Sequence, residues 1–400
     1  VTRKSLNRAH ARFDPINPAC MLALSVIGVF FIYSAQAYVG GTQWKSQIVW
    51  IALGAAVYLA VSLIDYKIVL KYSHLIYAAS LLLLALVLWS PLGVERFGAR
   101  RWLDLGVYTL QPVEFAKLGC IAIGASILTR SEIGSVRDSL QVLGKMALAI
   151  SLPLIFIMLQ PDLGSALTIP PVVFAQLYAS NLSKRFFLAT FAAFAVLVGA
   201  VVADTLGYAR YLDLKEESPK AYPEAYEDRS LVPLRDYQRD RLLTFIAPSQ
   251  VDPADSGWNR RQSLISVGSG GAFGKGWLNG LQAQLGYLPR NVAHNDFIFS
   301  VIAEETGFLG SVTVIFLFGL LLGNGARIAS AARDRFGTLL ALGVVVLFAV
   351  HVFVNIAMTI GLIPITGLPL PFLSHGGTFM ISCCIFQGLI QSVYRFRKDF

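Results

Sequence analysis

Charge is what this 400-residue sequence has least of. Asp, Glu, Lys and Arg make up only 14% of it, against 55% hydrophobic residues and a mean hydropathy of +0.61. That balance excludes an ordinary soluble domain and a disordered chain alike. Cysteine is equally sparse. Cys20, Cys120, Cys383 and Cys384 all lie inside apolar runs, with no C-x-x-C or His/Cys spacing, so neither a disulfide framework nor a zinc site is supported. A nucleotide loop is also missing. The run Gly268 to Gly276 has Ser269 where a P-loop needs glycine and Gly276 where it needs Ser or Thr, and G-x-G-x-x-G fails at Phe273.

Long apolar runs are what the sequence has instead. Stretches long enough to cross a bilayer, about 17 to 25 residues, occur near 18–37, 46–64, 73–90, 112–129, 143–160, 162–180, 186–204, 297–322, 337–361 and 377–394. They predict an all-α polytopic membrane protein with ten transmembrane helices, one domain over 1–400 and one large extracytoplasmic loop at 205–296. The first run, behind Arg3, Lys4, Arg8 and Arg12 and ahead of Ser34-Ala35-Gln36-Ala37, has the outline of a signal peptide. We read it as an uncleaved first span.

The net charge of +9 would suggest nucleic acid in a soluble protein, but here the cations lie mostly in short loops between the runs. No nucleic-acid partner is implied. Alternate loops carry Lys67 and Lys71, Arg130 and Arg137, Lys184 and Arg185, then Arg327, Arg333 and Arg335, with Arg395, Arg397 and Lys398 at the end. The positive-inside bias therefore puts both termini in the cytoplasm. Two outward segments defy it: 91–111, with Arg96, Arg100 and Arg101, and the long 205–296 loop. Cations held outside against the bias are candidates for an anion.

Asp296 stands where the long polar segment ends and the run Phe297, Ile298, Phe299, Val301, Ile302 begins. A carboxylate there could cap the helix. It could equally be a base, since half-burial raises its pKa toward the working pH. In 91–111, Arg101 and Trp102 suit either interfacial anchoring or phosphate binding by a forked guanidinium. Glu114 and Lys117, at i, i+3 inside the fourth span, are either a structural pair or line a polar cavity. Asp162 caps the sixth helix or joins the same outer site. A helical turn at 237–241 would put Gln238 and Arg241 on one face. Lys275 ends a glycine loop whose amides could cradle an anion. Residues 215–227, charged and turn-rich, are expected to be mobile. Glu304 and Glu305 inside the eighth span are expected to pair structurally. The proline- and glycine-rich stretch 361–378, which includes Ser374, cannot be continuous helix and must be buried in protein or line a wet cavity.

Taken together, R-R-W-L at 100–103, Q-P-V-E-F-A-K at 111–117, Q-P-D-L-G at 160–164, Y-Q-R-D-R at 237–241, the glycine run at 262–276, D-F-I-F-S-V-I-A-E-E-T-G at 296–307 and G-L-I-P-I-T-G-L-P-L-P-F-L-S-H-G-G-T at 361–378 resemble the SEDS family (shape, elongation, division and sporulation). The elongation type is the nearer one; a division-type role is the alternative. The resemblance implies a peptidoglycan glycosyltransferase that polymerises lipid II, the undecaprenyl-pyrophosphate-linked disaccharide peptide. It also implies a multi-pass protein of the bacterial cytoplasmic membrane, active on the outer side. The implied partners are a class B penicillin-binding protein transpeptidase and the elongation machinery. The family's aspartate after the large loop maps onto Asp296, its loop tryptophan onto Trp102, and its charged pair onto Glu114 and Lys117. The segment before Asp296 is longer than usual, Asn295 stands for Thr, and Val113 for Ser.

Inverting glycosyl transfer needs one base for the acceptor hydroxyl and cations for the departing diphosphate. Asp296 would supply the first; Arg101, Lys117, Arg241 and Lys275 the second. Asp296, Glu114 and Asp162 are hard oxygen donors that could hold Mg²⁺. A lipid II flippase or transporter, or a non-catalytic scaffold, would use the same polar residues differently.

Overall fold

In a computed structural model of the protein, the structure describes residues 13–96, 99–106, 108–132, 136–180, 184–217, 236–247, 257–288 and 293–397, with 226, 230, 232 and 234 besides. The N-terminal cations, most of 215–227 and the segment 289–292 lie outside the described residues. Helices α1 (Ile16–Ala37) and α2 (Gln43–Leu63) are followed by the short α3 (Lys67–Lys71) and by α4 (Ser73–Trp89). A three-stranded antiparallel ribbon comes next: β1 (Gly93–Arg96), β2 (Ala99–Asp104) and β3 (Thr109–Leu110). Then come α5 (Pro112–Arg130), α6 (Val136–Leu159), α7 (Leu163–Ala179) and α8 (Lys184–Glu217). The segment after α8 contributes α9 (Asp236–Ile246), α10 (Trp258–Ser269) and α11 (Leu281–Gln284). The chain ends with α12 (Ile298–Ser330), α13 (Arg335–Thr359) and α14 (Gly377–Arg395).

Among the described residues, eight helices are long and apolar enough to cross a membrane, and they fall on eight of the ten expected runs. At the other two, α4 and α7 are apolar but only 17 residues each. The protein is a mostly helical polytopic membrane protein. Helices α5 and α14 are central, with most residues buried, whereas the apolar stretch of α8 is wholly peripheral. Small residues let α5 sit at the centre: Gly119 lies against the Ser80 hydroxyl and Gly124 against Gln176. Gln176 Nε2 donates to the carbonyls of Ile121 and Leu339, joining α7 to α5 and α13. Such buried amide bonds act as glue where helix faces are uniformly apolar.

Three features go beyond hydropathy. The ribbon at 93–96, 99–104 and 109–110 is a small addition to the helical fold; Val94 faces Trp102, and a register shift follows at Val94/Glu95. The seventh helix does not stop near 204 but continues to Glu217. Within 205–296, α10 packs against α12 and α13. Ser263 Oγ donates to Thr359 O at 2.8 Å, and Ser266 Oγ to Glu304 Oε2 at 2.8 Å.

The glycine run after α10 has a structural explanation. Lys275 N and Gly276 N donate to the carbonyls of Glu304 and Glu305, while Phe308 N and Leu309 N donate to those of Gly271 and Ala272. Two backbones thus satisfy one another where α12 kinks at Gly307 (φ 67°, ψ −158°). The amides of Lys275 and Gly276 are thereby bonded to carbonyls and are not open to an anion. A Cβ at Gly274 (φ +79°) would lie 2.1 Å from Glu305 O, whereas one at Gly268 meets nothing within 4 Å. Gly274→Ala should therefore lower the thermal unfolding midpoint of the purified protein, through strain exceeding the usual about 0.4 to 1 kcal/mol gain from losing a glycine. Gly268→Ala, inside α10, should be neutral or stabilising by about 0.5 to 1 kcal/mol. Equal midpoints for the two variants would refute this account of the loop.

Candidate active site

Asp296 lies in a turn immediately before α12. The N-cap of that helix is Phe297 and no side chain caps it, so the cap reading of the Asp296 carboxylate does not hold. The turn is stitched to the loop between α13 and α14 from both sides. Asn355 Nδ2 donates to Asp296 O at 2.9 Å and to Leu368 O at 2.7 Å. Ser374 Oγ donates to Asn295 O at 2.6 Å, and His375 N to His294 O at 3.0 Å. A Cβ on Gly367 would come 3.4 Å from Asp296 Oδ2, so the loop backbone passes directly over the carboxylate.

The carboxyl lies deep inside the protein envelope yet keeps a narrow contact with solvent. Burial raises its pKa from the ordinary 3.8 to about 6. Arg241 pulls it back down, Asp162 pushes it further up, and Arg101 lowers it. Charges strong enough to act on one carboxyl in this way belong to one site.

A cavity of about 390 Å³ is lined by three of these charged residues, Arg101, Asp162 and Arg241, while Asp296 lies outside its lining. Its polar end holds Arg101, Asp162, Gln238 and Arg241; Phe194 and Val198 of the peripheral α8 line its apolar part. Gln238 and Arg241 share one face of α9, as their spacing required. Helix α9 is pinned by the fully buried Arg239, whose Nε donates to Asp204 Oδ2 of α8 at 2.8 Å. Arg101 holds the opposite wall, donating to the carbonyls of Gln160 and Pro161. Asp162 does cap α7, accepting from Ser165 N at 3.1 Å and Ser165 Oγ at 2.8 Å, while also lining the cavity. A space with two guanidinium groups at one end and hydrocarbon walls at the other suits an anionic headgroup on a lipid tail.

Other candidates are not brought there. Glu114 and Lys117 are buried, paired at 2.8 Å, and do not line the cavity. Ser382 Oγ faces the second Glu114 oxygen at 3.3 Å. Lys117 Nζ lies 3.1 Å from His351 Nε2, and the other ring nitrogen lies 3.1 Å from Pro369 O. An ammonium only donates, so Nε2 accepts and Nδ1–H donates to the loop carbonyl. The pair therefore reaches the site only through His351. Lys275 is held by Glu304 at 2.6 Å beneath the glycine loop, and Glu305 accepts from Ser34 Oγ at 2.5 Å; both acids pair structurally as expected. Trp102 is half-buried in β2, outside the cavity lining. Ser374 is 1% exposed and staples the loop internally, so it is not a surface for substrate.

The three carboxylates considered for Mg²⁺ are not assembled. Glu114 is bound to Lys117, and among the described residues no group of three metal-binding side chains occurs. Asp162 and Asp296 do stay together. Sequence reasoning missed His351 and Asn355, two polar residues at i, i+4 in an otherwise apolar span, a spacing that could have marked a functional face.

A family model described as cell cycle protein, FTSW_RODA_SPOVE, matches residues 16–399. Peptidoglycan glycosyltransferase MrdB of Escherichia coli K12 is 32% identical over 385 residues, covering 96% of this chain and 94% of that protein. Peptidoglycan glycosyltransferase RodA of Treponema pallidum is 33% identical over 433 residues, covering 96% and 98%. Among solved structures, a chain from work on coordination of polymerization and crosslinking by a peptidoglycan synthase complex aligns with a TM-score of 0.75 at 28% identity. It covers 97% of this chain and 99% of that one. The crystal structure of Thermus thermophilus rod shape determining protein RodA aligns with a TM-score of 0.66 at 26% identity, covering 98% and 99%.

The buried pair generates a test by thermal unfolding in detergent. Lys117→Leu alone strands a buried carboxylate and should cost about 3 to 5 kcal/mol, whereas Glu114→Leu with Lys117→Leu should cost far less. A double variant as unstable as the sum of the single variants would show that the two groups do not act as a pair.

Proposed function

The chain belongs to the cell cycle protein family of FtsW, RodA and SpoVE and is a peptidoglycan glycosyltransferase; we propose that Asp296 is its general base. The observation that carries this reading is one carboxylate with a pKa of about 6, acted on electrostatically by two guanidinium groups that line the polar end of a lipid-sized cavity. In the reaction the acceptor sugar hydroxyl attacks the anomeric carbon of a lipid-linked sugar diphosphate. A carbon–oxygen bond forms as the bond to the diphosphate breaks, and the electron pair leaves on the diphosphate oxygen. Asp296 takes the hydroxyl proton, and Arg101 and Arg241 stabilise the departing charge. A single displacement with one base inverts the anomeric centre. Gln238 and Asp162 complete the polar end, and Mg²⁺ arriving with the diphosphate would find protein oxygens on Asp162 and Asp296.

The substrate in this reading is lipid II, its tail lying along Phe194 and Val198. We further infer ten spans, α4 and α7 being the two short ones, with both termini in the cytoplasm and the Asp296 side outward in the bacterial cytoplasmic membrane. The loop cations support that orientation. A class B penicillin-binding protein is the partner we propose, supported by the likeness to a chain from a peptidoglycan synthase complex. The likeness to MrdB and RodA supports a role in elongation.

Asp296→Asn keeps the size and cannot accept the proton. Purified protein with this change should lose about 10² to 10⁴ in the rate of lipid II polymerisation, while Asp296→Glu retains some. Polymerisation by the Asn variant at the wild-type rate would refute the assignment of Asp296 as the base.

The reaction should also have an acid limb. Asp296 is ionised above about pH 6 and protonated below it, so kcat/KM should fall as pH drops through that value. Because Arg241 lowers the pKa, Arg241→Gln should move the limb upward. A limb unmoved by that change would exclude Asp296 as its source.

A further inference from the structure

We propose that a second depression on the face that carries Asp296 binds the uncharged sugar residues of the glycan strand; this rests on the glycosyltransferase reading and adds a subsite to it. The depression encloses about 430 Å³ between the ribbon, α2 and the start of α14. Trp50, Asp104, Tyr108, Thr109 and His375 supply its side chains. No lysine or arginine is among these lining residues, which sets it apart from the cavity holding Arg101 and Arg241. Asp104 would repel a diphosphate. The chemistry left is that of sugar recognition: aromatic faces for the C–H side of a hexose ring, with a carboxylate, a hydroxyl and an imidazole for its hydroxyl and acetamido groups.

The walls are fixed in place. Trp50 and Tyr108 stand with ring centroids 5.9 Å apart and planes inclined by 67°, presenting two apolar faces at an angle. A Cβ at Gly377 would come 2.4 Å from the indole, so the ring rests on bare backbone that only glycine provides. Thr378 Oγ1 donates to Thr109 O and accepts from Gln111 N, both at 3.3 Å, tying the ribbon to α14. Asp104 Oδ1 accepts from Gly106 N at 2.8 Å. His375 lies with Nε2 3.0 Å from Ser46 Oγ. Burial, aided by His294, lowers its pKa to about 4, so near neutral pH the ring offers hydrogen bonds without charge.

Position links the two cavities. His375 N donates to His294 O, two residues before Asp296, so residues 294–296 run from the sugar depression to the base. A strand seated on Trp50 and Tyr108 would have its reacting end led toward Asp296 while the diphosphate occupies the cationic cavity.

The test uses the full-length purified protein and two readouts. Chitotetraose, an uncharged tetramer of N-acetylglucosamine, is titrated calorimetrically into wild type, Trp50→Ala, Tyr108→Ala and Trp50→Phe, each first shown to be folded by thermal unfolding. The alanine variants should bind about tenfold more weakly, equivalent to about 1.4 kcal/mol, and Trp50→Phe should recover most of the loss. With lipid II, the alanine variants should make shorter glycan strands than wild type on a sizing gel. Absence of chitotetraose binding to wild type, or unchanged binding and strand length in both alanine variants, overturns the proposal. Titration needs no turnover, so the subsite can be confirmed or lost independently of the role of Asp296.

Discussion

A backbone that leaves the helix near a membrane must find every hydrogen bond inside the protein. Residues 361–376 are such a backbone, and the site depends on how their polar groups are satisfied. Asn355 serves the carbonyls of Leu368 and Asp296 with one amide nitrogen. His351 serves Pro369, the Ser374 hydroxyl accepts from Leu370 N, and Gln47 Nε2 donates to Ser374 O. Bonds that make the loop tolerable at this depth thus also fix the segment bearing Asp296. A base held by its own backbone on rigid helices needs no reorganisation when substrate arrives.

The charges of this membrane protein then sort by what they touch. Glu114 with Lys117, Glu304 with Lys275 and Asp14 with Arg327 are ion pairs of 2.6 to 2.8 Å. Each anchors elements distant in sequence: α14 accompanies the first pair through Ser382, the glycine loop is joined by the second, and the chain before α1 meets α12 in the third. Arg101, Arg241 and Asp162 differ in lining one cavity end while all three act on the carboxyl of Asp296. A pair that neutralises itself is scaffold; a cluster aimed at a space is equipped for a ligand of mixed polarity.

That distinction marks how far the sequence could be read. Hydropathy alone located the apolar helices, because uninterrupted runs have few alternatives to crossing a bilayer. Local period was enough for Gln238 and Arg241, one turn apart on α9. It was not enough for Lys275, which looked like an anion ligand until its partner, 29 residues away on α12, was visible. Glu114 and Lys117 read as a pair or as a cavity wall, and their contacts with α13 and α14 could not be seen from the sequence. The ribbon escaped because its strands are two to six residues long and rich in arginine, which resembles an interfacial loop. Asn355 and His351 were legible as polar residues on one face of a span, but which carbonyls they serve is a long-range fact.

Asp296 also shows why such a site resists being made more stable. Its folded pKa of about 6 lies above the ordinary 3.8, so folding favours the protonated form. Below the ordinary value the carboxyl is neutral whether the chain is folded or unfolded, and burial imposes no ionisation penalty. Between the two values the unfolded chain sheds its proton while the folded one holds it, so stability falls, and above about 6 the folded state carries the full unfavourable contribution. That is the range in which the base works. Arg241 and Arg101 reduce the penalty but do not remove it, since full compensation would return the pKa to that of a free carboxylate and leave a poor proton acceptor. The stability withheld at this one position is thus the same quantity that keeps Asp296 basic, and the hydrogen bonds converging on the 361–376 loop are what allow the fold to tolerate it.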